Sequence, residues 1–400
     1  MPFEKVIGAS PYAISGYSVS EQLGGEAGLA RFRRALNSAG MKLLLDFIPN
    51  HTGIDHPWVS GRPELFVHAP SDSPGSFRVP GNEKWLAHGK DPYFPPWMDT
   101  AQLDYRVSET QAAMLGELQK VAASCDGVRC DMAMLVTREI FERTWRDLSA
   151  PSPAANCEFW PEAVRSVKKR FPEFIFLAEV YWGLERRLQE MGFDYTYDKA
   201  LSDHLIAGEG REVRTHLCSQ GRETVARSAH FLENHDEPRV AGRLPLDRHR
   251  AAAMIVLALP GMRFIHEGQF DGCKIHTPVQ ALIRPSEPGD SSVRKLYEDA
   301  FDALKTSGFD SSRAEPGGAV CEGVGAEHVV AIAASGEGSA CGSTVYINLC
   351  NVPARARVAE AGAAGVDLCG HTAGVALSGG PGAGVFLELP AWSWAIARLR

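Results

Sequence analysis

The chain has 400 residues, of which 44% are hydrophobic, so it can bury one large core and a smaller second one. Its formal net charge of −8 argues against a nucleic-acid-binding surface, and no apolar run is long enough to span a bilayer. Nine cysteines without a C-x-x-C pair, and a start that lacks the pattern of a secretory signal, predict reduced thiols and a cytoplasmic location.

Strand-like apolar runs alternate with helical patterns from residue 28 to about residue 305. The predicted strands are 41–48, 127–133, 174–180, 193–197, 228–232 and 263–266, and the main predicted helices are 28–39, 109–124, 161–170, 247–259 and 291–306. This alternation predicts a parallel sheet covered by helices. The runs are mostly unbroken by polar residues, which is typical of strands that are buried on both faces.

Two segments depart from the alternation. Residues 52–105, between the first strand and the next long helix, are rich in Pro, Gly, Trp and His, and a loop of this length is usually functional. After about residue 310, short β-prone runs at 328–332, 343–349, 385–389 and 392–399 predict an antiparallel β-sandwich. We therefore expect a domain at 1–309, with 52–105 as an inserted subdomain, and a β-sandwich domain at 310–400.

Four short motifs with charged residues follow strand-like runs: residues 46–51 (DFIPNH), 127–131 (GVRCD), 178–180 (AEV) and 233–236 (ENHD). The C-terminal ends of parallel strands meet at one end of a (β/α) barrel, which is where such enzymes assemble their active sites. Carboxylates, an arginine and histidines that meet there indicate the cleavage of a glycosidic bond.

Asp131 and Glu179 supply the two carboxyl groups that cleavage with retention requires, a nucleophile and an acid/base. Arg129 lies two residues before Asp131, so on a strand both side chains point to the same face, and the cation favours an ionised Asp131. Glu179 ends an apolar run, a setting that favours the protonated form that an acid needs. A structural Arg–Asp pair and a helix-capping Glu are the alternative interpretations.

The order and the amino-acid sequences of the four motifs resemble those of the α-amylase family of retaining glycoside hydrolases and transglycosylases. The resemblance extends from about residue 9 to the C-terminus. The resemblance implies that Asp131 is the nucleophile, that Glu179 is the acid/base and that Asp236 stabilises the transition state. It also implies a TIM-type (β/α)8 barrel, with an insertion after its third strand and a C-terminal antiparallel β-sandwich. Only six strands are visible in the sequence, so we expect a barrel that lacks its first two strands and a chain that is N-terminally short.

Further residues are expected to bind the substrate: Tyr12, His51, Arg129, Tyr181, Trp182, His235 and Arg239. The resemblance implies that His51 and His235 contact sugar hydroxyls, while Tyr12, in the SPY segment at 10–12, stacks under the same sugar or serves in packing. It implies that Arg239 closes the pocket of an exo-acting enzyme, with a surface salt bridge as the alternative. Tyr181 and Trp182 lie two and three residues after Glu179 and are expected to stack on the leaving-group sugar.

The sequence thus predicts a glycosidase or transglycosylase that acts on α-glucosidic bonds of oligosaccharides and binds neither nucleic acid nor membrane. The alternative is a catalytically impaired or silent truncated homologue that at most binds sugar. We expect no cofactor and no metal. Calcium is left open but not favoured, because Asn50 matches a calcium ligand of the family whereas residues 132–135 read MAML, without the family's Lys-His pair.

Overall fold

The computed structural model describes residues 10–70, 73–148, 157–281, 283–335, 342–359, 365–380 and 384–399. The chain divides into two compact units. The first unit comprises Met1–Tyr197 and Val279–Leu282, and the second comprises Asp198–Pro278 and Ile283–Arg400. Within the described ranges, no helix combines the length and the apolarity needed to cross a bilayer.

The first unit is built around a parallel sheet. Its elements in chain order are α1 (Gly25–Ser38), β1 (Leu44–Phe47), β2 (His51–Gly53), α2 (Pro57–Gly61), β3 (Ser76–Arg78), β4 (Trp85–Ala87), β5 (Thr100–Gln102), α3 (Ser108–Ser124), β6 (Gly127–Cys130), α4 (Arg138–Thr144), α5 (Phe159–Arg170), β7 (Ile175–Ala178), α6 (Glu185–Glu190) and β8 (Tyr195–Tyr197). Strands β1, β6, β7 and β8 pair in parallel in that order. The longest helix of this unit, α3, buries Met114, Leu118 and Val121, whose spacing places them on one face.

The inserted segment between β1 and α3 contains two antiparallel strand pairs, β2 with β5 and β3 with β4. The first pair aligns His51 with Gln102, so the two ends of the insertion lie side by side. Its apolar side chains, among them Phe66 and Leu86, belong to the same core as the sheet residues. Pairing at its base and burial of its apolar residues explain why such a long insertion folds.

The second unit begins with helices and a short parallel pair. Its elements are α7 (Lys199–Ala207), α8 (Gly210–Ser219), α9 (Arg222–Ala226), β9 (Ser228–His230), α10 (Val240–Arg243), α11 (Leu246–Ala258), β10 (Met262–Arg263), α12 (Ser291–Thr306), β11 (Ala314–Gly318), β12 (Cys321–Glu322), β13 (Val329–Ala334), β14 (Ser343–Asn348), β15 (Ala354–Ala359), β16 (Val366–His371), β17 (Ala376–Gly380), β18 (Gly384–Leu389) and β19 (Trp394–Leu399). Strands β9 and β10 pair in parallel.

Two antiparallel sheets close the second unit, in the orders β11-β13-β14-β19-β16 and β12-β15-β18-β17. Side chains of β14 alternate between two cores: Val345 and Ile347 pack with residues of α11 and α12, whereas Tyr346 packs with Leu387 of the four-stranded sheet. Because successive side chains of a strand point to opposite faces, and both faces are buried here, helices cover one face of the five-stranded sheet and the four-stranded sheet covers the other. The domain boundary between residues 309 and 310 stays a prediction.

All six parallel strands occur where the apolar runs predicted them, but each is shorter than its run. The prediction of 174–180 corresponds to Ile175–Ala178, and the prediction of 263–266 to Met262–Arg263. The difference lies mainly at the strand ends, where apolar residues continue into loops that stay buried, as Val180 does. Hydrophobicity indicates burial and does not by itself show where the pairing of a strand stops.

Candidate active site

The site in the first unit forms at the C-terminal ends of β1, β6 and β7. Asp46 lies on β1, opposite Arg129 of β6. Asp131 directly follows β6, and Glu179 directly follows β7, so the parallel pairing brings these side chains to the same edge of the sheet. Arg129, Asp131 and Glu179 are all buried.

The guanidinium of Arg129 joins the carboxyl groups. Its Nη1 donates hydrogen bonds to Oδ1 of Asp131 at 3.0 Å and to Oδ1 of Asp46 at 3.2 Å. Its Nη2 lies 2.8 Å from Oε2 of Glu179, an ion pair without hydrogen-bond geometry. Nε donates to the hydroxyl of Tyr197 at 3.3 Å. One cation therefore holds both predicted catalytic carboxyl groups.

The charges of this cluster do not balance, because three carboxyl groups face one guanidinium. Burial raises the pKa of Asp131 well above its ordinary value, Arg129 opposes this shift, and the charges of Glu179 and Asp46 add to it. The predicted effect of Arg129 on Asp131 is present but is outweighed by burial. The carboxyl cluster consequently holds a proton at a higher pH than an exposed aspartate does.

Glu179 receives two hydrogen bonds besides the ion pair. The hydroxyl of Tyr181 donates to Oε1 at 2.6 Å, and the backbone N–H of Met132 donates to Oε2 at 2.8 Å. The Tyr181 hydroxyl is thus hydrogen-bonded to the Glu179 carboxyl group itself. This arrangement favours a positioning role for Tyr181, beside the stacking role that the sequence predicted. Trp182 is exposed.

Two further predicted residues belong to this unit. The Tyr12 ring centroid lies 5.3 Å from Cζ of Arg129, within the range of a cation–π contact. His51 is buried with its ring centroid 5.2 Å from that of Trp97. Burial lowers the pKa of His51 to about 4, so its imidazole is neutral at pH 7 and can both donate and accept a hydrogen bond.

The ENHD motif belongs to the second unit, where Asn234 shapes its turn. Oδ1 of Asn234 accepts hydrogen bonds from the backbone N–H groups of Asp236 and Glu237, each at 2.9 Å. The turn presents Asp236 and His235, whose Oδ2 and Nε2 atoms are 3.1 Å apart. The Asp236 side chain is 43% exposed and so remains accessible to a ligand.

Arg239, also in the second unit, is buried. Its Nη1 donates to Oε1 of Glu233 at 2.8 Å and to the carbonyl oxygen of Glu267 at 2.6 Å, and lies 2.9 Å from Nδ1 of His266. Glu233 also accepts the backbone N–H of Val240 at 2.6 Å. These contacts favour a salt bridge over a role in closing the pocket, but the salt bridge is buried and does not lie at the surface as the alternative had it.

The prediction of site residues from the sequence missed Tyr197 and the partner of Arg239. Tyr197 ends β8 and its hydroxyl accepts a hydrogen bond from Arg129. Its position at the end of a predicted strand could have indicated that it lies near the site. Glu233 begins the ENHD motif but points to Arg239. No local pattern indicates that pairing, because the two residues meet only through a turn.

Asn50, the residue that matched a calcium ligand, is already engaged. Its Oδ1 and its carbonyl oxygen both accept from Nε2 of Gln102, at 3.0 and 2.8 Å. No group of three or more His, Cys, Asp or Glu side chains suited to a metal occurs among the described residues. Each of these two Asn50 oxygens thus already accepts a hydrogen bond, and the expectation that the protein binds no calcium stays a prediction.

A comparison of the whole sequence with protein families matches residues 7–313 to the α-amylase catalytic domain. The chain belongs to the α-amylase family. The prediction of the family is confirmed, and with it the fold class, a catalytic domain of parallel strands followed by antiparallel sheets.

Two curated α-amylases are similar to the chain. One is α-amylase MalA of Haloarcula japonica, 25% identical over 261 residues, which are 63% of this chain and 35% of that protein. The other is α-amylase 3 of Dictyoglomus thermophilum, 24% identical over 292 residues, which are 66% of this chain and 53% of that protein. The chain thus spans only about a third to a half of these two α-amylases.

The fold is similar to that of solved α-amylase structures. The crystal structure of the α-amylase from H. orenii superposes with a TM-score of 0.70 and 19% identity, covering 100% of this chain and 89% of that one. At this level of sequence identity, the similarity is evidence for the fold alone.

Proposed function

We propose that this α-amylase-family chain is a retaining glycosidase or transglycosylase that acts on α-glucosidic bonds of oligosaccharides. The observation that carries the proposal is the guanidinium of Arg129, which lies within 3.0 Å of a carboxyl oxygen of both Asp131 and Glu179 in a buried site. A double displacement uses two carboxyl groups that stand close together.

In the first step, an Asp131 oxygen forms a bond to the anomeric carbon while the bond from that carbon to the leaving oxygen breaks. Glu179 gives its proton to the leaving oxygen. In the second step, water or a sugar hydroxyl loses a proton to Glu179, and its oxygen displaces Asp131 from the anomeric carbon. The proton kept by the carboxyl cluster must reside on Glu179, with Asp131 ionised, when the first step begins.

Other side chains have supporting roles in the proposal. The neutral imidazole of His51 is suited to hydrogen-bonding a sugar hydroxyl, and Tyr12 offers an aromatic face beside Arg129. The resemblance of the ENHD motif to the family supports Asp236 and His235 as residues that bind sugar hydroxyls.

Trapping of the covalent intermediate tests the proposal directly. A 5-fluoro-α-glucosyl fluoride should inactivate the protein and add one fluoroglucosyl group to the peptide that contains Asp131, which mass spectrometry of a digest would locate. The Glu179→Gln variant should lose activity on 4-nitrophenyl α-glucoside far less than on maltose, because nitrophenol leaves without acid assistance.

The same experiment addresses the silent-homologue alternative. A protein that releases no nitrophenol and gains no label, yet melts cooperatively, would be a folded protein without the proposed activity. A label on a peptide other than that of Asp131 would keep the activity and overturn the assignment of the nucleophile.

A further inference from the structure

A histidine that follows β10 lies beside the ENHD motif. Strands β9 and β10 pair in parallel, with Arg263 opposite His230. Three residues further along each segment, the same register brings His266 opposite Glu233, the first residue of the motif. This contact is present, because Nδ1 of His266 lies 3.4 Å from Oε1 of Glu233. His266 therefore lies at the same end of the β9–β10 pair as the ENHD motif.

A turn holds the backbone of His266 in place. Its N–H donates to Oε1 of Gln269 at 3.3 Å, and its carbonyl oxygen accepts the N–H of Gln269 at 3.0 Å. Gln269 is itself buried, and its Nε2 donates to the hydroxyl of Tyr297 at 2.7 Å. An imidazole that is positioned in this way loses little conformational entropy when it binds a ligand.

Arg239 determines which nitrogen of His266 carries the proton. Nη1 of Arg239 donates to Nδ1 of His266 at 2.9 Å, and a guanidinium cannot accept in return. A neutral imidazole has one donor and one acceptor nitrogen, so an Nδ1 that accepts leaves the proton on Nε2. Nε2 has no hydrogen-bond partner among the residues that the structure describes, and 22% of the side chain is exposed. His266 therefore presents an N–H that a ligand can reach.

We propose that His266 is a further sugar-binding residue, which donates its Nε2–H to a hydroxyl oxygen of the sugar that the ENHD motif binds. Arg239 and Glu233, both buried, are positioning residues that hold His266 as a donor. The inference rests on the proposed function, since it takes Asp236 and His235 to bind sugar hydroxyls. An ionised Asp236 only accepts hydrogen bonds, whereas a sugar hydroxyl both donates and accepts, so a neighbouring N–H complements the carboxylate.

The test removes a donor from the protein and an acceptor from the substrate. His266→Phe keeps a planar ring without the N–H, whereas His266→Gln still accepts from Arg239 and donates to the sugar. On 4-nitrophenyl α-glucoside we expect kcat/KM to fall about tenfold in His266→Phe and at most about threefold in His266→Gln. Among the 2-, 3-, 4- and 6-deoxy analogues of this glucoside, one should be cleaved almost equally by the parent and by His266→Phe, because it already lacks the hydroxyl that His266 contacts. His371→Phe, at an exposed residue of β16, is the control and should change no substrate.

A loss in His266→Phe that is the same on every glucoside would overturn the inference, because a merely structural change affects all the substrates alike. If His266→Phe does not melt cooperatively, His266→Met takes its place in the same comparison. If the parent cleaves none of these glucosides, the proposed function fails together with this inference. If it cleaves them and the loss does not depend on any one hydroxyl, only this inference fails.

NMR of the full chain with isotopically labelled histidine tests the role of Arg239 independently of activity. The histidine signal that disappears in His266→Gln should be that of a neutral ring protonated at Nε2 alone. A ring protonated at Nδ1 instead would overturn the assignment of His266 as a donor held by Arg239.

Discussion

A single arginine organises the candidate site at the residue scale. Arg129 compensates one charge, whereas Asp46, Asp131 and Glu179 together carry three when ionised. Protonation of a buried carboxyl cluster relieves charge repulsion and the cost of desolvation. The ionised carboxylate that the proposed mechanism needs is therefore the state that folding disfavours. The site shows this trade-off most clearly at Asp131, whose pKa burial raises.

Asp131→Asn should reduce turnover of any α-glucoside by at least about a thousandfold, because the covalent step loses its nucleophile. A carboxyl group whose pKa is raised by folding destabilises the fold as the pH rises above the ordinary carboxyl range. Its replacement by a neutral amide should therefore leave the melting temperature at pH 7 unchanged or higher. Activity assays and a thermal melt check this, with Asp203→Asn on the surface of the second unit as the control. Normal turnover in Asp131→Asn would remove the nucleophile assignment.

Tyr181→Phe removes the hydrogen bond to Glu179 while keeping the ring. The hydroxyl holds Oε1 of Glu179 at 2.6 Å, so its loss should leave the carboxyl group less well positioned to protonate the leaving oxygen. We expect kcat on maltose to fall about tenfold, with a smaller loss on 4-nitrophenyl α-glucoside, whose leaving group needs no acid assistance. Steady-state kinetics on both substrates measure this difference. Equal losses on the two substrates, or a change in KM alone, would show that Tyr181 only packs or stacks.

At the element scale, β1 is an edge strand: like β10, it has no strand partner on one of its sides among the described residues. Its Phe47 carbonyl oxygen accepts from Asp131 on the side of β6. On the other side, the Tyr17 hydroxyl both donates to the carbonyl oxygen of Ile48 and accepts its N–H, at 2.9 and 3.0 Å. Amides alternate in direction along a parallel strand, so Leu44 and Asp46 face the same side as Ile48.

This side of β1 opens into an apolar groove of about 840 Å³. Its lining includes Leu29 and Phe32 of α1 and Val121 of α3, and Phe32 is 55% exposed. An accessible sheet edge beside exposed apolar side chains favours pairing with another strand, including the edge of a misfolded neighbour. The first unit should therefore be the part of the molecule that is prone to aggregation.

Hydrogen exchange measures the state of this edge. The amide hydrogens of Leu44 and Asp46 should exchange much faster than those of Leu45 and Phe47, which belong to the ladder with β6. Residue-resolved exchange on the full chain compares amides within one strand. The overall stability of the unit affects all four amides equally, so it does not contribute to the difference between them. Equal protection of all four amides would mean that another strand covers the edge.

At the scale of the whole molecule, two buried neutral histidines couple stability to pH, one in each unit. Burial lowers the pKa of both His51 and His249 to about 4. Between pH 6.5 and 4 these two histidines bind protons in the unfolded chain but not in the folded one, so their contribution to the free energy of unfolding should decrease as the pH falls. Each histidine contributes at most about 3 kcal/mol to this loss.

His249→Gln tests the contribution of the second unit. Nε2 of His249 lies 2.8 Å from the Tyr297 hydroxyl, and a glutamine amide can keep that hydrogen bond without titrating. Denaturant unfolding of the variant should lose part of its dependence on pH between 6.5 and 4, whereas the variant His371→Gln, on an exposed residue of β16, should behave like the parent. An unchanged slope in His249→Gln would contradict the assignment.

Treatment with a chelator tests the expectation that the protein binds no calcium. Because the oxygens of Asn50 accept from Gln102, we predict that EDTA changes neither the melting temperature nor the activity. A melting temperature that falls with EDTA and recovers with Ca²⁺ would show a calcium site and would require Gln102 to rotate away from Asn50.

Much of this architecture was predictable from local patterns. The unbroken apolar runs predicted all six parallel strands, and α12 was predicted with its observed ends, because Asp290 caps its first turn and its apolar residues recur at helical spacing. The placement of Asp131 and Glu179 after strands followed from the rule that parallel strands end at the same edge. These features depend on neighbours along the chain, which a sequence displays.

What the sequence by itself determined is therefore the family, the succession of elements and the identity of the carboxyl groups. Only the tertiary structure decided what those groups touch: the Tyr181 hydroxyl on Glu179, the burial of Arg239 against Glu233, and the pairing of Asn50 with Gln102. Each of these contacts depends on where a turn or an insertion brings a side chain. The excess of buried carboxylates over cations, which sets the pKa of Asp131, arises only when β1, β6 and β7 lie side by side, since burial and distance are properties of the folded chain.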